Sequence, residues 1–418
     1  MKIGIDIRAT QTEHGGRGVG RYVFDLIDGM LRVGGHHDYV LFGIAGAPIP
    51  PGVQELPPNF RLTTVGGPLL HADFKRWYLG VPGFGRTRFA QRANYESLYR
   101  TQVQSFTDKV NAEALDVIHL PAPIDVHVCS DGEFNCRRVA TFFDAVPLAM
   151  PDQFLRRWSE ISQIHFKRQM ETYRKANVVV AISNASRRDA IRFLDLPPEK
   201  VVTVHCGARP RSQTTIDDAA ARLVLSRFGV TSPFFIFCSV CDFHKNWERM
   251  LEAYRLTRNE GLAIQLVMVT ARDDWHFPRV QKLLRDLNLT EADVIVTGRV
   301  TDEELSILYS RALALISPAF YEGFGLPALE AMTFGTPVIA SDRTSLPEVV
   351  GDAGLFFDPT DTAAMATAMK KLLTQPDLRA NLSAKSATRA SLFSVERQAT
   401  GFLAVYAGQR PPTPAVSE

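Results

Sequence analysis

The chain has 418 residues, 45% of them hydrophobic and 22% charged, with a formal net charge of +2 at pH 7. That length exceeds one ordinary domain and calls for two, each with its own core, and the near balance of charge gives no support to a nucleic-acid polymer as partner. No apolar run reaches the roughly 18 residues that cross a bilayer, and five scattered cysteines, Cys129, Cys136, Cys206, Cys238 and Cys241, point to a reducing cytoplasm.

The opening "MKIGIDIRAT" runs straight into a strand over 2–6, unlike a secretory signal. The loop "HGGRGVGRY" (14–22) and a helix over 21–31 follow, then strands at 39–45, 116–121, 138–144, 177–183 and 201–205. Short runs rich in Val, Ile and Phe, separated by helical segments, predict parallel strands covered on both faces. After Gly207 a polar stretch leads into a second series at 233–240, 264–270, 293–298, 313–318, 337–341 and 354–358. The expected class is α/β, with two tandem doubly wound, Rossmann-like domains over 1–210 and 230–392 and a ligand cleft between them. A last helix within 393–410 is expected to return to the first domain. Cys238 and Cys241 form a CxxC inside an apolar run. Residues three apart on a strand face opposite ways, so these two read as small core residues.

The stretch "SPAFYEGFGLPALEAMTFGTPVIAS" (317–341) carries the chemistry. A buried strand ends near Pro318, a glycine turn follows, and Pro327 suits the first position of a helix. Gly323 and Gly325 then lie where bare backbone meets a helix N-terminus, a place that favours an anion, usually phosphate. Glu330, one turn into the helix, suits two hydroxyls of a ribose, and Glu322, before the turn, suits hydroxyls of a sugar. Acid, backbone, acid reads as sugar, diphosphate, ribose: a nucleotide-sugar. The alternative is a pair of solvated helix-end charges around a simple turn.

At these residues the chain resembles the retaining glycosyltransferases of family 4, which have the two-domain GT-B fold. Their signature is two glutamates separated by seven residues, here Glu322-GFGLPAL-Glu330, and the likeness continues through "FGTPVIASDRTSLPEVVGDAGLFFDPTD". Weaker echoes are "GGRGVGRYV", "FFDAVPL", "VVAISNASRRDAI", "DFHKNWERML", "VTGRVTDEELSILYSRA" and "FSVERQA". The resemblance implies that Lys245 contacts the donor diphosphate. A cation there also suits the chemistry directly, because charge grows on the leaving group as its bond to the sugar breaks. The resemblance further implies that Gly323, Phe324, Gly325, Leu326 and Glu330 bind the donor, and that Gly16 and Gly18 let the first-domain loop approach its phosphates.

Several positions depart from the family pattern. His244 and Ser239 stand where many members carry arginines, so the leaving-group clamp is less basic, and Arg17 or Arg21 is a candidate replacement. Phe143 stands where a histidine touches the transferred sugar. Asp144 is retained and is a candidate either for the acceptor or for capping the next turn. His119, at a strand end, reads first as a structural histidine.

No Asp-x-Asp closes an apolar strand and no His/Cys ligand cluster is present in the sequence, which predicts transfer without metal or other cofactor. The resemblance implies retention of anomeric configuration, with Lys245, Glu322 and Asp144 as the catalytic candidates. The expected activity moves a hexose from a nucleotide-sugar to a glycan or lipid-linked oligosaccharide in cell-surface polysaccharide synthesis. GDP-mannose is the first expectation, from likeness to bacterial polysaccharide mannosyltransferases, and UDP-hexoses come next. The alternatives are a nucleotide-sugar epimerase and a non-catalytic nucleotide-sugar-binding scaffold subunit. Segments 74–92 and 154–175 mix basic and aromatic residues, which suits an anionic bilayer surface and predicts a cytoplasmic enzyme peripheral to the plasma membrane. Ordinary amphipathic surface elements are the alternative.

Overall fold

The computed structural model describes residues 1–12, 15, 18–50, 53–66, 88–123, 130–208, 216–259, 261, 263–272 and 276–412. Among these, the apolar runs form a seven-stranded and a six-stranded sheet. The chain divides accordingly into two units, Met1–Gly207 together with the closing helix Val395–Tyr406, and Ala208–Ser394.

In the first unit β1 (Lys2–Asp6), β2 (Asp38–Ile44), β3 (Phe60–Val65), β4 (Val117–Leu120), β5 (Arg137–Phe142), β6 (Val178–Ala181) and β7 (Val201–Thr203) lie in the order β3-β2-β1-β4-β5-β6-β7. All neighbours are parallel. Central strands such as β1 and β6 are buried on both faces, which is why they read as continuous apolar runs. Two elements escape the sequence reading. The edge strand β3 has Arg61, Thr63 and Thr64 in its middle, and the helix Arg88–Ala112 carries no pronounced apolar stripe.

The second unit repeats the scheme. Its strands β8 (Phe234–Cys238), β9 (Gln265–Val269), β10 (Val294–Val296), β11 (Ala314–Ser317), β12 (Val338–Ser341) and β13 (Gly354–Phe357) lie in the order β10-β9-β8-β11-β12-β13. Each matches an apolar run read from the sequence. Phe235, Trp247, Tyr254, Leu266, Met268 and Ile316 form the heart of one core cluster on this sheet. A fully buried side chain of this size contributes about 1.5–3 kcal/mol.

Both sheets are doubly wound, and their strand order reverses at β1/β4 and at β8/β11. Ligands of open α/β sheets bind outside the carboxyl ends of the strands at such a reversal. The expected returning helix is Val395–Tyr406, which packs on the helix Gly18–Val33. Tyr406 Oη lies 2.7 Å from His119 Nδ1, and His119 Nε2 lies 2.9 Å from Thr141 Oγ1. Tyr22 Oη joins the same threonine at 3.2 Å. His119 is fully buried, and desolvation pushes its pKa from 6.5 down to about 3. It is a neutral, structural histidine.

Candidate active site

The opening glycine turn sits at the β8/β11 reversal. After β11 the chain turns through Gly325, which has φ 97° and is the N-cap of the helix Leu326–Thr333. Pro327 therefore occupies the second helical position rather than the expected first; it suits either, since the first turn has no intrahelical acceptors for its amides. A Cβ on Gly325 would stand 2.8 Å from Leu346 Cδ2, so both the backbone angle and the space call for glycine. Among the described residues neither the Gly325 nor the Leu326 amide has a protein acceptor. These are the donors that an anion would meet at the positive end of the helix.

The turn is pinned from the loop after β12. Glu322 donates its amide to Thr344 Oγ1 at 2.9 Å and accepts at its carbonyl from Ser345 Oγ at 2.8 Å. Ser341 Oγ donates to the Ala319 carbonyl at 2.6 Å. Thr344 and Ser345 fall inside a stretch quoted for its family likeness, but their role as supports was not read from it.

Lys245 ends the 3-10 turn Phe243–Lys245 that follows β8, and Asn246 then takes a left-handed φ of 55°. The buried Asn246 amide donates to the Pro318 carbonyl at 2.9 Å and the Pro359 carbonyl at 2.8 Å, tying the β8 loop to the β11 loop. The result is a contact that the sequence reading did not foresee: Lys245 Nζ donates to Glu322 Oε2 at 2.7 Å. Their side chains are 18% and 15% exposed, and both line one cavity with Ser239, Ser317 and Pro327. Among the described residues Lys245 Nζ makes no other hydrogen bond and Glu322 Oε1 makes none. The ammonium thus keeps donors for a phosphate and the carboxylate keeps an acceptor for a hydroxyl.

Glu330 is buried on the helix Leu326–Thr333 and accepts from Tyr309 Oη at 3.2 Å. Burial, with Cys238 and Glu330 beside it, holds the Tyr309 phenol well above its ordinary pKa, so it stays a donor to the carboxylate. Phe324 turns its ring into the protein, edge-on to Phe393 at 5.7 Å, so only its backbone can serve a ligand. His244 does not restore the missing basic group. Desolvation and the Lys245 charge push its pKa from 6.5 to about 2, leaving the imidazole neutral. The CxxC thiols are not joined in a disulfide: Cys241 is buried with its Sγ 3.7 Å from Thr270 Oγ1, and Cys238 is half-buried.

In the first unit, Gly16 and Arg17 lie outside the described residues. Gly18 is not in a loop; it is the first residue of the helix Gly18–Val33. The close-approach glycine is Gly20, where a Cβ would stand 2.4 Å from the Gly15 carbonyl oxygen. Phe143 is buried edge-on against Tyr22 at 4.9 Å. Asp144 accepts the Val146 amide at 3.1 Å, the capping role that the sequence left open beside acceptor binding. Residues 74–87 of the first basic-aromatic segment lie outside the described residues. In the second, Arg156, Arg168, Arg174 and Lys175 are paired with Asp152, Glu96, Glu171 and Glu133, so less free positive charge remains than the sequence suggests. Among the described residues no helix is long and apolar enough to cross a membrane.

Comparison with known proteins agrees with this fold. Residues 226–389 match the family model described as glycosyl transferases group 1, and residues 16–211 match glycosyltransferase family 4. The O-antigen chain mannosyltransferase B of Escherichia coli is 31% identical over 277 residues, 65% of this chain and 70% of that protein. The chain belongs to glycosyltransferase family 4. This glycosyltransferase is also similar to the serotype-specific mannosyltransferase WbdA of Escherichia coli, 24% identical over 94% of the chain but only 46% of that relative's length. Among solved structures, sucrose-phosphate synthase from Thermosynechococcus elongatus superposes with a TM-score of 0.72 at 21% identity, covering 98% of both chains. Its likeness extends to the whole GT-B pair of Rossmann-like halves.

Proposed function

We propose that this glycosyltransferase moves a hexose from a nucleotide-diphosphate sugar to a glycan or lipid-linked oligosaccharide, with retention of configuration. GDP-mannose is the first donor to test, since the relatives named above are mannosyltransferases, and UDP-hexoses are second. The observation that carries this reading is the Lys245–Glu322 pair at 2.7 Å beside the open Gly325 and Leu326 amides. In the proposed complex the diphosphate meets those amides and the spare Lys245 donors, Glu322 Oε1 accepts a hydroxyl of the sugar, and Glu330 accepts the ribose hydroxyls. The bond from the anomeric carbon to the diphosphate breaks while the acceptor hydroxyl attacks from the same face. Its proton passes to the departing phosphate oxygen. Lys245 stabilises the growing negative charge more in the transition state than before it.

The reading is tested by a thermal-shift series of nucleotide-sugars, followed by NMR of the product of the best donor. An inverted linkage overturns front-face transfer, and donor conversion without any acceptor would favour an epimerase. Transfer is expected to persist in EDTA. Flotation with anionic vesicles tests the peripheral membrane position, and no binding at moderate salt removes it.

A further inference from the structure

Phe243 and Lys245 belong to one turn but line different cavities. The cavity on the Phe243 side holds about 250 Å³ and is also bordered by Phe320, Glu248, Arg249 and Glu252. Phe243 is 44% exposed, although its ring is stacked on Phe320 with centroids 5.7 Å apart and 30° between planes. The Arg249 guanidinium lies over the Phe320 ring at 5.3 Å. A single exposed phenylalanine needs no explanation. Here, however, an aromatic ring held in place by a second ring sits at a cavity beside both a carboxylate and a guanidinium. Among the described residues neither the Arg249 nor the Glu252 side chain has a hydrogen-bond partner, while Glu248 is paired with Arg279 at 2.7 Å.

We propose that this cavity binds one hexose ring of the acceptor glycan, a subsite separate from the donor cavity. The reading of the chain as a transferase to glycans supplies the occupant; the site itself rests on the residues above. A pyranose has one face of C–H bonds and a rim of hydroxyls. The C–H face packs on Phe243, Glu252 accepts from hydroxyls, and Arg249 donates to hydroxyl or ring oxygens. The volume falls below the roughly 300–1,000 Å³ typical of drug-sized ligands, which fits one ring rather than a whole nucleotide-sugar. Phosphate is disfavoured because Glu248 and Glu252 face the same space.

The test is saturation-transfer NMR on the full chain with α-linked mannotriose and, separately, with GDP. Mannotriose protons are expected to saturate, and Phe243→Ala or Glu252→Ala should weaken binding several-fold, on the order of tenfold at most for the aromatic contact. Phe243→Trp should restore it. Glu252 lies on an exposed helix face, so its variant keeps the test decisive even if Phe243→Ala disturbs the turn that carries Lys245. Donor hydrolysis in Glu252→Ala should match wild type while the KM for oligosaccharide acceptors rises. Unchanged mannotriose signals in both variants would overturn the subsite, as would saturation of GDP protons that is lost with Glu252→Ala. If wild type binds mannotriose through these residues but hydrolyses no nucleotide-sugar, the subsite stands and the transferase reading fails.

Discussion

The two halves share a strand order but use their reversal points differently. In the first, Asp6 at the end of β1 accepts two bonds from the Arg8 guanidinium, Nε at 2.9 Å and Nη2 at 2.8 Å. Arg8 also lies over Phe106 at 3.7 Å and donates to Ser130, and neither charged residue is more than 5% exposed. The neighbouring β4 contributes His119, whose two nitrogens are taken by Thr141 and Tyr406. In the second half the corresponding places hold Lys245 and Glu322, joined by one bond, partly exposed at a cavity and with spare donors and an acceptor. Removing charge from water costs several kcal/mol unless every partner is supplied. The first reversal point meets that condition internally and so fixes structure, whereas the second leaves hydrogen-bonding capacity open, which is what the proposed donor site requires.

This contrast can be broken by substitution. The largest expected effect is from Lys245→Ala, which should lower the transfer rate, measured at saturating donor, about 10²–10³-fold, the loss seen when one preorganised charge-stabilising donor is removed. Glu330→Gln comes next: isothermal titration should show nucleotide-sugar affinity about tenfold weaker or more, for loss of hydrogen bonds to a charged group. Asn246→Ala removes both carbonyl ties of the Lys245 loop and should cost about 1–3 kcal/mol in urea unfolding, together with a fall in turnover.

His119 should act in the opposite sense, on stability but not on chemistry. Its folded pKa lies below the ordinary 6.5, so the unfolded chain takes up the proton first. Its contribution is complete above about pH 6.5 and is lost as pH falls toward 3, with a slope of at most about 1.4 kcal/mol per pH unit. His119→Gln should flatten that acid slope in part, because His244 has the same sign and remains. The smallest effect is expected from Asp144→Ala, about 1 kcal/mol in urea unfolding for the lost bond from the Val146 amide. A turnover defect there well beyond the loss of folded protein would restore Asp144 to the acceptor site.

Local chemistry made much of the protein legible. Strands buried on both faces leave long apolar runs, so all six strands of the second sheet could be read, while β3, with a polar centre, and the helix Arg88–Ala112, without a strong stripe, could not. The glycine turn and its flanking glutamates were legible because strand end, turn and helix start are contiguous. The first-half loop was less so: the choice between Gly18 and Gly20 depends on where the Gly15 carbonyl comes to lie.

The sequence by itself determined two doubly wound halves and a glycine turn between two acids at the start of a helix. Only the tertiary structure decided that Lys245 and Glu322, 77 positions apart, would meet. Their meeting depends on the crossover that lays β11 beside β8 and on Asn246 bridging the loops after them. A run of residues encodes the period of its own element; the neighbour across a parallel sheet is chosen by how the whole chain packs.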